Sequence, residues 1–227
     1  MRRVSFRAIC VTVSCLITSL LCGCNLFVTD EDKFYIDGNL DNSLARIDIE
    51  KAGKDISIPT KVGDITVREI YLADPYYSKI DSLDVSKAKE LESFKLVLYA
   101  EKNKSKLKKL DFSKNKKLRD IVIGQTKALK NIKFNNKCEY IYLKGTSIKS
   151  VNLKNLKELE SFIYRDGPLE ELDTSNNPNL ESIKIADTNI KRLDVTKNPK
   201  LKYIIVDEGT QIIGPTNAQI EYNKRAE

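Results

Sequence analysis

Residues 172–206 read LDTSNNPNLESIKIADTNIKRLDVTKNPKLKYIIV. Leu172 opens a pattern that Leu193 opens again 21 residues later. From each leucine, apolar residues fall at offsets +8, +11 and +13: Leu180, Ile183 and Ile185, then Leu201, Ile204 and Val206. Asn177-Pro178 and Asn198-Pro199 occupy +5 and +6. Two tandem copies define a repeat, and a period near 20 residues belongs to stacked-repeat architectures. The last two apolar positions lie two apart, the period of a strand, so the residues between them point to the other face.

The same unit extends back through the chain. Openers are Leu83, Leu110, Ile132, Val151, Leu172 and Leu193. Earlier triplets are Leu91-Phe94-Leu96, Leu118-Ile121-Ile123 and Leu159-Phe162-Tyr164. The repeat at Ile132 is two residues short early on, which puts Ile141 and Leu143 in the last two places. The first repeat is long because residues 99–106, YAEKNKSK, loop out. Each repeat supplies one short strand, and successive strands stack in parallel about 4.8 Å apart. The opener segments LDVS, LDFS, LDTS and LDVT turn a second apolar edge inward on the opposite side of the coil. A lone repeat cannot bury its apolar face, so stability is expected of the array.

The pattern LDVSxNPxLxxLxL resembles leucine-rich repeats of the short extracytoplasmic type, found in surface lipoproteins of the Bacteroides group, and is similar to BspA-like and internalin-like repeats. IPTKVGDITVREI, residues 58–70, resembles the opening of BspA-like repeats. The resemblance covers about residues 56–207. It implies a mainly β solenoid of about 6–7 coils with short parallel strands, capped at both ends. It also implies non-catalytic recognition and leaves the partner unnamed. Asparagine, favoured at +16 in such repeats, is replaced by Thr126, Thr146, Gly167, Thr188 and Gly209, which makes a continuous ladder there doubtful.

The start of the chain reads separately. A basic head with Arg2, Arg3 and Arg7 precedes the apolar run ICVTVSCLITSLLC, residues 9–22. Fourteen residues are too short to cross a bilayer as a helix, and the arrangement fits a secretory signal. Leu21-Cys22-Gly23-Cys24 resembles the lipobox of bacterial lipoproteins, which implies cleavage before Cys24 and its acylation. Asn25 at the next position implies the outer membrane. The expected organisation is a signal over 1–23, a tether over 24–42, a cap and irregular first repeat over 43–82, repeats over 83–207 and a cap over 208–227. Ile212, Ile213, Ile220 and Tyr222 are expected to cover the last coil.

Chemistry is sparse. The 227 residues contain no histidine and five cysteines, four of which lie within the first 24 residues. Cys138 therefore has no partner for an internal bridge and reads as a small buried hydrophobe. Ser-His-Asp, Cys-His and cysteine-zinc arrangements are excluded. No cofactor, metal or catalytic residue is expected. The column Asp84, Asp111, Asp173 and Asp194 reads as aspartates bonding their own turns rather than as a calcium site. Asn115, Asn177 and Asn198 at +5 suit the bends, because a short amide bonds turn backbone.

Two surfaces remain. Outward strand positions at +12 read Tyr71, Lys95, Val122, Tyr142, Ile163, Lys184 and Ile205; at +10 they read Glu69, Ser93, Asp120, Tyr140, Ser161, Ser182 and Tyr203. Tyr71, Val122, Tyr140, Tyr142, Ile163, Tyr203 and Ile205 are the expected contacts for a protein or peptide partner at the cell envelope, since apolar and tyrosine-rich patches mark interfaces. The segment 102–119, KNKSKLKKLDFSKNKKLR, holds nine basic residues and one acid. It reads either as a solvated edge or as a site for an anionic polysaccharide, with Lys106, Lys108, Lys109, Lys116 and Lys117 as the contacts. The formal charge of +7 owes three units to the signal segment. Nucleic acid is not an expected partner of an exported chain.

Overall fold

A computed structural model of the protein describes residues 33–37, 43–73, 77, 79–98 and 105–224. The signal segment, Cys24 and all but five residues of the expected tether lie outside the described residues. In chain order the elements are β1 Phe34–Asp37, β2 Ser43–Ile47, one helical turn α1 Ile49–Ala52, β3 Asp55–Ser57, β4 Lys61–Val62, β5 Ile65–Thr66, β6 Glu69–Leu72, β7 Ser82–Asp84 and β8 Ser93–Val97. They continue with β9 Lys109–Asp111, β10 Asp120–Gly124, β11 Asn131–Lys133, β12 Tyr140–Lys144, β13 Ser161–Arg165, β14 Ser182–Ala186, β15 Arg192–Asp194, β16 Tyr203–Asp207, β17 Gln211–Ile213 and β18 Gln219–Asn223.

One ten-stranded sheet carries the molecule, in the order β1-β2-β6-β8-β10-β12-β13-β14-β16-β18. All its pairings are parallel except β1 with β2. The chain is a mainly β solenoid of short parallel strands: each coil adds one rung, and residues at equal offsets fall side by side. Phe162 pairs with Ile141 and Ile183, and Tyr164 with Leu143 and Ile185. These +11 and +13 side chains are buried in every coil from β6 to β16. The period of two expected from the sequence therefore sorts core from surface.

A second edge lies opposite. β3 with β7, β9 with β11, and β15 with β17 form separate two-stranded parallel ladders, and Ser150 bridges Glu171. Leu83, Leu110, Leu172 and Leu193 are buried there, while Ile132 and Val151 are half-buried. Between the two edges the chain makes two consecutive turns in place of a helix. The +5 N–H donates to the +2 carbonyl and the +8 N–H to the +5 carbonyl, as in Asn177 to Thr174 at 3.0 Å and Leu180 to Asn177 at 3.2 Å.

The asparagines at +5 reach back to the preceding coil. Asn115 Nδ2 donates to the carbonyls of Val85 and Ala88 at 2.8 and 2.7 Å, and Asn177 Nδ2 to Leu153 and Leu156 at 2.9 and 2.7 Å. Asn135, the equivalent in the shortened repeat, donates to Leu118 at 2.8 Å. All three are buried. The asparagine rungs thus stand at +5 instead of +16. At +16, Gly167 is dictated by its neighbour: a Cβ there would lie 2.3 Å from the Tyr164 hydroxyl and 2.8 Å from the Thr146 carbonyl. Tyr164 fills that space and donates to the Ile148 carbonyl at 2.7 Å.

The N-terminal end differs from the sequence expectation. Phe34–Asp37, expected within the tether, forms β1 on the edge of the sheet, and Phe34 is buried with Ile47. The Ile47 N–H donates to the Tyr77 hydroxyl at 2.9 Å, which ties this cap to the first coil. Residues 208–224 lie against the last coil by adding rungs to both ladders through β17 and β18. Ile220 and Tyr222 continue the inward rows beside Ile204 and Val206, yet are 37% and 52% exposed. The segment extends the solenoid with Ile212 packed against the core, and leaves Ile220 and Tyr222 open.

Candidate functional site: the outer face of the long sheet

The +12 and +10 rows come together as register requires. Tyr71, Lys95, Val122, Tyr142, Ile163, Lys184, Ile205 and Glu221 are consecutive partners across the sheet. Glu69, Ser93, Asp120, Tyr140, Ser161, Ser182, Tyr203 and Gln219 form the parallel row. Val122, Tyr140, Tyr142 and Ile163 occupy three adjacent strands, β10, β12 and β13, and make one contiguous patch.

The single exposed face expected from the sequence is corrected in two respects. The four central side chains are half-buried, because neighbouring rungs about 4.8 Å apart shade one another. Ser182 and Lys184 on β14 then separate this patch from Tyr203 and Ile205 on β16. Tyr203 is 56% exposed and Ile205 half-buried. Tyr71 stands alone at the other end, with the Lys95 ammonium 4.6 Å from its ring centroid.

Electrostatics mark the centre of the patch. Burial pushes the Tyr140 phenol up, and Tyr142 and Asp120 add to the shift. Partial desolvation raises the Asp120 carboxyl, against the pull of Arg119, although the residue as a whole is exposed. The hydroxyls of Tyr140 and Tyr142 make no hydrogen bond among the described residues, so both remain available to a ligand. Along the rim, charges pair between coils: Arg68 with Glu92 at 2.7 Å, Arg119 with Glu139, and Lys202 with Glu181 at 2.7 Å. These pairs are largely solvated and contribute little to stability.

The five lysines expected to act together do not share a surface. Lys106, Lys108 and Lys109 line an open cavity of about 870 Å³ beside the second edge, with Leu83, Leu107 and Leu110 among its other walls. Lys116 and Lys117 lie on the turn side, where Lys117 pairs with Glu90 at 2.5 Å. The long first repeat brings that glutamate, 27 residues away, under Lys117.

The aspartate column serves the turns. Asp84, Asp111, Asp173 and Asp194 each accept the N–H two residues on, from Ser86, Ser113, Ser175 and Thr196, at 2.8 or 2.9 Å. No cluster of three potential metal-binding side chains occurs among the described residues. Cys138 fills the +8 place that leucine holds elsewhere, and its burial pushes the thiol up to about 12, so it is not a reactive thiol at neutral pH.

One polar anchor was not legible in the sequence. Asp207, at the last outward position of β16, is buried and accepts the N–H groups of Asp187 and Thr188 at 2.8 and 2.9 Å. The Asn223 amide also donates to it, at 3.1 Å. Asp207 thereby joins β18 to the preceding coils. Its offset is one where other repeats carry Lys144, Arg165 and Ala186, so spacing offered no signal.

No protein-family model matches the chain, and no curated protein matches it. Among solved structures it is similar to the functional domain of InlJ from Listeria monocytogenes, described as including a cysteine ladder. That match has 17% identity and a TM-score of 0.41, and covers 79% of this chain and 34% of the other. The chain spans about a third of the length of that structure.

Proposed function

We propose that this protein is a lipid-anchored recognition module of the cell envelope, without catalysis, which holds a protein or peptide partner against the outer face of its long sheet. The observation that carries the reading is the contiguous patch Val122, Tyr140, Tyr142 and Ile163, placed by register on three adjacent strands, with both tyrosine hydroxyls making no hydrogen bond among the described residues. Tyrosine offers a large contact area together with a polar tip, which suits the centre of an interface. Rigid parallel strands hold these side chains in place, so little conformational freedom is lost on binding. The lipobox-like Leu21-Cys22-Gly23-Cys24 supports attachment through Cys24 to the outer membrane, on its surface or periplasmic side.

The test is capture of envelope proteins on the full chain and on a Tyr140→Ala/Tyr142→Ala variant, with circular dichroism to verify the fold. The expected result is a discrete bound protein that the variant retains at least tenfold less well. Equal retention by a folded variant refutes the assignment of this face. Radiolabelled palmitate incorporated by wild type but not by Cys24→Ala supports the anchor, and its absence from wild type refutes it.

A further inference from the structure

The second edge carries a site independent of the sheet face. Offsets from the openers place Lys108, Lys130 and Lys149 at the same position, two residues before Leu110, Ile132 and Val151. The Lys130 N–H donates to the Lys108 carbonyl at 3.0 Å, so these two lysines lie on adjacent rungs. Lys106 and Lys109 flank Lys108, and Lys133 stands on β11 beside Asp111 of β9. All six lysines are exposed. Asp111 lies among them, 3.6 Å from the Lys133 ammonium, and Lys149 pairs with Glu170 at 2.8 Å. Asp81 and Asp84 bound the stripe at the preceding coil, and Glu170 and Glu171 at the following one.

Ammonium groups on rungs about 4.8 Å apart repel one another, and a ligand with closely spaced negative charge relieves that repulsion. The side chains between the lysines narrow the ligand further. The Asn131 side-chain amide and the Ser150 hydroxyl, each one residue before an opener, are exposed and make no hydrogen bond among the described residues. The cavity of about 870 Å³ at Lys106, Lys108 and Lys109 also has Asp81, Asp84 and Asp111 in its walls, and its leucines Leu83, Leu107 and Leu110 are buried. Cations interleaved with amide and hydroxyl groups that make no hydrogen bond among the described residues suit a chain bearing both anionic groups and hydroxyls. We infer that this stripe binds a linear anionic polysaccharide, with Lys106, Lys108, Lys109 and Lys130 as its principal contacts. Lys116 and Lys117, on the turn side, take no part.

The experiment measures binding of a fluorescently labelled heparin oligosaccharide to the full chain across a salt series, with neutral dextran and polyphosphate as competitors. The expected result is binding at low salt that weakens steeply by 0.3 M salt, as attraction to a charged stripe does. Lys108→Ala/Lys109→Ala/Lys130→Ala should weaken it at least tenfold and flatten the salt dependence, while Lys116→Ala/Lys117→Ala leaves it within twofold. Dextran should not compete. No binding at low salt, or equal loss in the two variants, overturns the site. Displacement by polyphosphate at a lower concentration than by unlabelled heparin overturns the polysaccharide as its ligand. Circular dichroism confirms that the exposed substitutions leave the fold intact.

Discussion

Asn198 and Thr174 hold each other from both sides. The Asn198 amide donates to the Thr174 carbonyl at 2.9 Å, and its Oδ1 accepts from the Thr174 hydroxyl at 2.7 Å. The same amide also donates to the Asn177 carbonyl at 2.9 Å. Thr174 occupies the +2 position, where Val85, Phe112, Phe134, Leu153 and Val195 stand in other coils. The equivalent oxygens of Asn115 and Asn177 are buried without a hydrogen-bond partner among the described residues. Thr174 therefore supplies, in one coil, an acceptor's partner that those coils lack.

Replacing Thr174 by valine keeps the shape and removes the hydroxyl, leaving the buried Asn198 oxygen unpaired. The expected cost is about 1–2 kcal/mol. Asn177→Ala removes two donated bonds to the preceding coil and leaves the Leu153 and Leu156 carbonyls without their side-chain donor, and should cost more, about 2–3 kcal/mol. Urea unfolding followed by circular dichroism measures both. A Thr174→Val variant as stable as wild type would remove the energetic significance of this contact.

The carboxyls of the turn column should make the fold acid-sensitive. The Ser113 hydroxyl and N–H hold the Asp111 carboxyl below the usual range, the Ser175 hydroxyl and N–H do the same for Asp173, and the Thr196 N–H and hydroxyl for Asp194. A depressed folded pKa contributes stability above the unfolded value, near 3.9, and that contribution is lost as pH falls through the folded value. Asp120 has the opposite sign: partial desolvation raises its pKa, so its ionisation opposes folding as pH rises through 4. The triple variant Asp111→Asn/Asp173→Asn/Asp194→Asn should show a smaller fall in urea midpoint between pH 5 and pH 2.5 than wild type. Asp120→Asn should be the more stable protein at pH 7 and gain nothing at pH 2.5. Parallel midpoint curves for wild type and both variants would show that these groups are uncoupled from folding.

The core was legible because its cause is local spacing. Ile183 and Ile185 are buried for the reason their positions suggested, and each rung repeats it. The +5 asparagines were legible as turn residues, but their donation to the preceding coil required knowing which carbonyls stack below. The binding rows were legible as rows. Their shading was not, since it depends on the bulk of Tyr140 and Tyr142 relative to rung spacing, nor was the interruption by Lys184 recognised. The pairing of Lys117 with Glu90 was not legible because the glutamate lies across an irregular repeat. Phe34 was missed because a four-residue strand carries too short a pattern, and Asp207 because an outward offset gave no reason to expect burial.

The two ends of one inward row should respond differently to the same substitution. Ile204 and Ile220 are direct partners across β16 and β18, yet Ile204 is fully buried and Ile220 is 37% exposed. Ile204 has a rung on each side, from β14 and β18, whereas Ile220 has one among the described residues. Truncating a fully buried isoleucine costs about 2–5 kcal/mol through lost burial and a cavity. At Ile220 water can enter the space, so Ile220→Ala should cost less than about 1 kcal/mol. Tyr222, beside Val206 and 52% exposed, should behave like Ile220. Paired urea titrations of Ile204→Ala, Ile220→Ala and Tyr222→Ala decide the point, read at several protein concentrations. An Ile220→Ala cost equal to that of Ile204→Ala would mean that something covers the last rung in solution; if that cost grew with concentration, the cover would be a second copy of the chain.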